Sequence, residues 1–162
     1  MTAKVEGRAR LLAKMRALPV EVRSAIKQAL AQGADEITDM QKRLAPVSAR
    51  GSHGNPPGAL RDSIVQTWGG EKARYSSLAG TAGAADPDLT VRISAGNSKV
   101  RYAHLVEFGT SPRPNGGKFK GTEHPGTAAQ PFFYPAYRAL RKRVKSRISR
   151  ATTKAAKKVA GK

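Results

Sequence analysis

Residues 19–44 read PVEVRSAIKQALAQGADEITDMQKRL, and this stretch decides the fold class of the chain. Its apolar side chains recur at spacings of three, four and seven residues, the pattern of one face of an amphipathic helix. The residues on that face are Val22, Ile26, Ala29, Leu30, Ile37, Met40 and Leu44. Pro19 suits the first turn, and Pro46 ends the helix because the residue before a proline disfavours helical geometry. Gly33 interrupts the helix at a cost of about 1 kcal/mol relative to alanine. We expect a helix nearly 40 Å long, at about 1.5 Å per residue, which a small protein covers only in part.

Short extended segments and loops follow this helix. Residues 60–68 predict a turn and then a strand, and residues 73–78 are a candidate partner strand. Residues 89–95 alternate apolar and polar side chains, which indicates a half-buried strand. Residues 100–108 predict a short helix that ends at Gly109, since glycine is the favoured residue just past a helix end.

Proline and glycine mark two loops, at residues 45–59 and 111–130. After a brief extended stretch at residues 131–134, a second long helix is predicted from Pro135. The sequence therefore predicts an α+β fold: a small, mostly antiparallel sheet packed on a long N-terminal helix and a long basic C-terminal helix. Three parts are expected, namely a basic arm at residues 1–18, a single α+β domain at 19–150, and a basic, frayed tail at 151–162.

The charge of the chain is strongly positive and unevenly distributed. Lys and Arg total 30 against 11 Asp and Glu, so the formal net charge of the 162 residues is +19. No acidic residue follows Glu123. There is no cysteine, which excludes disulfide scaffolds, zinc ribbons and a thiol nucleophile. No apolar run approaches the roughly 20 residues needed to span a bilayer, so we expect a soluble protein without a membrane partner.

The predicted C-terminal helix carries the candidate contacts to DNA or to an acidic protein. These residues are Arg138, Arg141, Lys142, Arg143, Lys145, Arg147 and Arg150. Cationic side chains on a helix suit phosphate contacts, and such binding is strongly salt-dependent. No aromatic side chains interleave with them, which argues against stacking on single-stranded bases. A solvated basic tail that keeps the domain soluble is the alternative.

Motifs of catalysis are absent from the sequence. It has no glycine-rich phosphate loop and no Gly-x-Ser-x-Gly elbow. His104 and Glu107 are three residues apart on the predicted short helix, and with His124 they could bind a metal, as in a metal-dependent hydrolase. The simpler interpretation is an exposed histidine beside a surface acid. We expect no catalytic residue, no metal and no cofactor.

Glu107 is an acid within a locally apolar run. It could pair with an arginine, inside the subunit or across an interface, or be an ordinary surface residue. The large aromatic side chains nearby are expected to be core residues rather than a ligand cage. They are Trp68, Phe108, Phe132, Phe133 and Tyr134.

Three blocks of the sequence resemble a known family. Residues 102–110 read YAHLVEFGT, residues 129–136 read AQPFFYPA, and upstream come APV at 45–47 and GALRDSI at 58–64. In this order they are similar to the neck and tail-completion proteins of long-tailed lambdoid bacteriophages, which also occur in prophages and gene transfer agents. The residues that carry the resemblance are Pro46, Gly58, Leu60, Arg61, Ser63, Ile64, Tyr102, Ala103, Glu107, Phe108, Gly109, Thr110, Gln130, Pro131, Phe132, Pro135 and Ala136.

The resemblance implies a structural virion protein without catalysis. It would form a homo-oligomeric ring, a hexamer by analogy with tail symmetry, at the head–tail neck after assembly in the host cytoplasm. Its neighbours would be the head-closure or connector protein on one side and the tail terminator or tail tube protein on the other, with genomic DNA in the channel. A small nucleic-acid-binding protein of the cell is the alternative that the net charge suggests.

Overall fold

The computed structural model describes residues 20–51, 54–71 and 86–160. The elements, in chain order, are helix α1 (Val20–Leu44), helix α2 (Ala59–Asp62), strand β1 (Val65–Trp68), strand β2 (Val91–Ser94), helix α3 (Ala103–Phe108), strand β3 (Arg113–Pro114), a 3-10 turn (Gly117–Phe119), strand β4 (Glu123–His124) and helix α4 (Phe133–Ala160). Two long helices and short antiparallel strands confirm the predicted α+β class. The predicted N-terminal arm and the candidate strand at 73–78 lie outside the described residues. So do most of residues 79–88, whose small side chains predict a mobile hairpin tip.

The two long helices pack against each other and form the largest contact between elements. Gly33 lies at the crossing, where an added Cβ would sit 2.5 Å from Cγ1 of Val144 on α4. Real Cβ atoms do not approach other carbons that closely, so only glycine permits this helix separation. Gly33 lowers the helix propensity of α1, yet its lack of a side chain allows α1 to pack closely on α4.

The hydrophobic core is divided into two clusters of buried residues. One joins Val22 and Ile26 of α1 to Ala155 near the end of α4. The other lies under α2, α3 and the start of α4, and consists of Ala45, Leu60, Ile64, Val100, Ala103 and Phe132. Phe132 and Ile64 are each 1% exposed. This second cluster draws on segments far apart in the sequence, and these segments carry the blocks that resemble the phage family.

Strands β1 and β2 form an antiparallel pair with Val65 opposite Ser94 and Trp68 opposite Val91. The predicted strands are thus confirmed, though both are four residues long. Arg23 of α1 holds Asp86, which lies five residues before β2. Its guanidinium donates to both carboxylate oxygens of Asp86, at 2.9 and 3.0 Å.

Helix α4 differs from its prediction at both ends. It begins at Phe133, two residues before the predicted start, so the expected extended stretch at 131–134 is only half correct. It also runs through the segment that was expected to fray from residue 151. Ala155 is 8% exposed and packs on Val22 and Ile26, and this contact stabilises the last turns of a helix that has little apolar surface of its own. The division of the chain at residues 18 and 150 stays a prediction.

Candidate assembly site

Glu107 joins α3 to the start of α4. Its side chain is buried, with 6% exposure, and Oε2 accepts hydrogen bonds from the backbone N–H groups of Phe132 and Phe133, both at 2.8 Å. Oε1 accepts one from the N–H of Tyr134 at 3.0 Å. The first N–H groups of a helix have no partner within the helix, and a carboxylate there also interacts favourably with the helix dipole. Neither alternative that the sequence left open, an arginine partner or an ordinary surface acid, is observed, because this carboxylate is buried and caps α4.

The sequence around α4's start suits this cap. Pro135 has no N–H, so the first turn presents one donor fewer that needs a partner. Ala136 has no exposed surface, and its small side chain fits where the helix meets the core. Gln130 donates its N–H to the carbonyl of Val106 at 2.8 Å, and this hydrogen bond fixes the segment before α4 against α3.

The residues after Glu107 turn the chain away from α3. Gly109 ends α3 as predicted, with φ at 73° and its N–H donating to the carbonyl of Leu105 at 2.8 Å. A Cβ on Gly109 would lie 2.6 Å from the carbonyl oxygen of Thr127. Thr110 and Thr127 then form an antiparallel bridge. Residues 102–110 and 125–136 are therefore one interlocked unit, which we call the motif junction.

The upstream block lies beneath the motif junction. Leu60 and Ile64 are buried in the same cluster as Phe132. Ser63 Oγ donates to the carbonyl of Leu60 at 2.6 Å and accepts the N–H of Gly96 at 3.0 Å. Three other residues of the resemblance are less enclosed. Pro46 and Tyr102 line a cleft of about 500 Å³ beside the motif junction, and Arg61 pairs at the surface with Asp62 at 2.9 Å.

Aromatic side chains are exposed beside the motif junction. Phe108 is 67% exposed and Tyr134 is also an exposed side chain, so their expected place in the core is wrong. Their ring centroids lie 5.9 Å apart. Tyr134 and Tyr137 are 46% and 44% exposed and line an apolar groove of about 320 Å³ between α1, β2 and α4. None of the described residues lining this groove is charged. Exposed aromatic patches of this kind are typical of interaction surfaces.

The predicted loop at 111–130 is an ordered hairpin rather than an irregular segment. Arg113 pairs with His124 across β3 and β4, and Asn115 donates to Thr122 from both its backbone and its side chain. At the tip, Phe119 is 70% exposed. Backbone hydrogen bonds thus hold a large apolar side chain in solvent, which suits contact with another molecule.

The basic residues of α4 divide into two groups. Arg147 and Arg143 contact Glu36 of α1, the latter at 3.4 Å, and hydrogen bonding from Arg147 lowers the pKa of Glu36. These two arginines therefore hold the helices together. The other five predicted contact residues are exposed on α4: Arg138, Arg141, Lys142, Lys145 and Arg150.

Comparison with known protein families identifies one match. Residues 9–109 match the family described as "Bacteriophage HK97-gp10, putative tail-component". The chain belongs to this bacteriophage tail-component family. The suspected resemblance is confirmed, and the match includes the upstream block and residues 102–109. Searches of curated proteins and of solved structures find no significant match.

A tail-component protein is a structural part of a phage, and proteins of this kind are not usually enzymes. His104 is exposed, and Glu107 is occupied by backbone N–H groups rather than directed at a metal. Nδ1 of His124 accepts the N–H of Gly126 at 3.0 Å. Across the described ranges, no three His, Asp or Glu side chains are placed to bind a metal. The helices described here also lack the combination of length and apolar character needed to cross a bilayer.

Sequence reasoning missed three residues of this tail-component site. Glu36 was not recognised as the partner of α4, although an acid flanked by the packing positions of α1 is a usable signal. Phe119 was passed over within a loop, although an isolated aromatic between glycines and lysines indicates an exposed tip. Tyr137 shares a three- and four-residue spacing with Leu140, Val144 and Ile148, which predicts the packing face of α4, yet 44% of it is exposed.

Proposed function

We propose that this tail component forms a homo-oligomeric ring at the head–tail neck of the virion and joins the head connector to the tail tube. The observation that carries the proposal is the motif junction. Its buried cap and core make a rigid unit, yet Phe108 and Tyr134 of this unit, and Tyr137 directly after it, lie in solvent. Burial of such aromatic side chains is a major source of binding energy at protein interfaces.

Ring closure follows from contacts of the heterologous type, in which one surface of a subunit meets a different surface of the next. The apolar groove and the exposed tip at Phe119 are two different surfaces suited to such contacts. We propose a hexamer, by analogy with the symmetry of phage tails. The neighbours would be a head-closure or connector protein above and a tail terminator or tail tube protein below, with assembly in the host cytoplasm.

The test uses purified particles from a host that expresses the chain. Mass spectrometry should detect the protein in a few to a dozen copies per particle, and cryo-EM should place it as a ring between capsid and tail. Absence from mature particles would overturn the proposal. A Phe108→Asp variant should fold but leave heads and tails unjoined, while Val20→Asp, at a side chain that is 80% exposed, should assemble normally.

A nucleic-acid-binding protein of the cell is the second candidate, and the observation that favours it is the unbalanced charge of α4. The two functions differ in where the protein is found. A cellular nucleic-acid-binding protein would be recovered with host DNA or RNA and be missing from particles, whereas the neck protein would copurify with them.

A further inference from the structure

The cations of α4 are spaced at a density close to that of a nucleic-acid strand. Ten basic residues lie between positions 138 and 158: Arg138, Arg141, Lys142, Arg143, Lys145, Arg147, Arg150, Lys154, Lys157 and Lys158. The segment contains no acidic residue. At about 1.5 Å per residue it is about 30 Å long, which gives about one positive charge every 3 Å. Each strand of B-DNA carries one phosphate per about 3.4 Å of axis.

The face of α4 opposite its packing on α1 carries a regular polar stripe. Its members, at spacings of four, three, four and four, are Arg138, Lys142, Lys145, Ser149 and Thr153, and all are exposed. The packing face, with Val144 and Ile148, is half-buried against the rest of the fold. Arg143 and Arg147 reach back to Glu36 and are not part of the stripe. The stripe therefore projects outward as a row of cations continued by two hydroxyl groups, the side chains that commonly contact phosphates.

We infer that this stripe binds the phosphate backbone of duplex DNA, with α4 lying lengthwise along it. The inference rests on the proposed function, since a neck ring surrounds the path of the genome. The stripe consists of three cations and two hydroxyl residues and contains no aromatic or large aliphatic side chain, whereas interfaces between proteins are usually anchored by such groups. The same lack of aromatic residues disfavours single-stranded nucleic acid, for which base stacking is needed. Binding is therefore directed to the backbone and independent of sequence.

The experiment measures binding of the full-length protein to two 25-base-pair duplexes of unrelated sequence over a range of salt concentrations. The test variant carries Arg138→Gln, Lys142→Gln and Lys145→Gln. The matched control carries Arg50→Gln, Arg101→Gln and Lys118→Gln, three exposed cations away from α4. Both variants have the same net charge, and since all six side chains are exposed, both should melt close to the wild-type temperature.

The expected result is similar affinity for both duplexes and a steep loss of binding with salt. Removal of three phosphate contacts should reduce the slope of log affinity against log salt by about 2.7 in the stripe variant, at about 0.9 per contact. The control should change the slope by less than about 0.9, the value for one phosphate contact. Equal loss in both variants would overturn the inference, because only overall charge would then matter. Negligible duplex binding at low salt, or equally tight binding to polyglutamate, would also overturn it.

The result of the DNA-binding experiment can be told apart from the result of the test of the proposed function. If the protein is present in the particle neck but its stripe does not bind DNA, only the inference is wrong. If the stripe binds DNA but the protein is absent from particles, the inference holds and the proposed neck function is wrong.

Discussion

The backbone nitrogen of Phe132 lies 2.8 Å from Oε2 of Glu107, 25 residues earlier in the chain. Both groups are buried, and the same carboxylate accepts two further N–H groups at the start of α4. One acid thus sets the direction in which the long basic helix leaves the core. The positions of the exposed aromatic side chains and of the cationic stripe both depend on that direction.

Replacement of Glu107 should be among the most destabilising single changes in the chain. Glu107→Ala leaves N–H groups at the start of α4 without an acceptor, so the free energy of unfolding should fall by about 3 kcal/mol. Glu107→Gln keeps one acceptor oxygen and should cost less. Urea denaturation followed by circular dichroism measures both, with the exposed Glu123→Ala as a control that changes stability by less than about 0.5 kcal/mol. Equal stability of Glu107→Ala and wild type would contradict the capping role.

Gly33 and Val144 should show strong energetic coupling. Gly33→Ala improves helix propensity by about 1 kcal/mol, yet the added Cβ meets Val144, so the variant should lose about 1–3 kcal/mol. Combining Gly33→Ala with Val144→Ala removes the clash and should recover most of the loss caused by the glycine substitution. A double-mutant cycle from thermal unfolding should give a coupling energy above about 1 kcal/mol, and additive effects would disprove the close approach.

Phe132 and Phe119 should respond oppositely to truncation. Phe132 is 1% exposed, and Phe132→Ala should cost about 3–5 kcal/mol through lost burial and a residual cavity. Phe119 is 70% exposed, and Phe119→Ala should change the stability of the isolated subunit by less than about 0.5 kcal/mol. Calorimetry on the two variants makes the comparison. If both melted at the same temperature, the assignment of these rings to core and tip would be wrong.

The contact between Arg23 and Asp86 should stabilise the fold in a pH-dependent way. Burial by itself raises the pKa of Asp86, but hydrogen bonds from Arg23 and from the N–H groups of Asp88 and Leu89 outweigh it, and the pKa falls below its ordinary 3.8. A lowered pKa in the folded state means that the charged form stabilises the fold above about pH 4 and that this stabilisation disappears at lower pH. The melting temperature of Asp86→Asn should therefore lie several degrees below wild type at pH 7, and the gap should narrow as the pH falls below about 4.

Asp88→Asn provides the control for that measurement, because the Asp88 side chain is 46% exposed and its ion pairs are screened by solvent. A gap between Asp86→Asn and wild type that stayed constant from pH 7 to pH 3 would show that the carboxylate charge does not contribute.

Local sequence pattern was enough to predict the elements whose side chains repeat with a clear period. Helix α1 was expected from residue 19, and the described helix is Val20–Leu44, since three- and four-residue spacing is specific to a helix. The alternation at residues 89–95 likewise predicted β2, and Gly109 was recognised as the end of α3. Pattern failed at Phe108, which is apolar and periodic but exposed, because periodicity records the face of a helix and not whether anything covers that face.

The sequence by itself determined the α+β class, the two long helices, the net charge of +19 and, through three ordered blocks, a phage family. These properties follow from short-range periodicity and composition, which are present in the chain before it folds. The tertiary structure alone decided that Glu107 caps α4, that Gly33 fits against Val144, and that Arg143 and Arg147 pair with Glu36. Each of these contacts joins residues at least 25 positions apart, and a contact of that kind depends on how the elements pack, which no local pattern specifies.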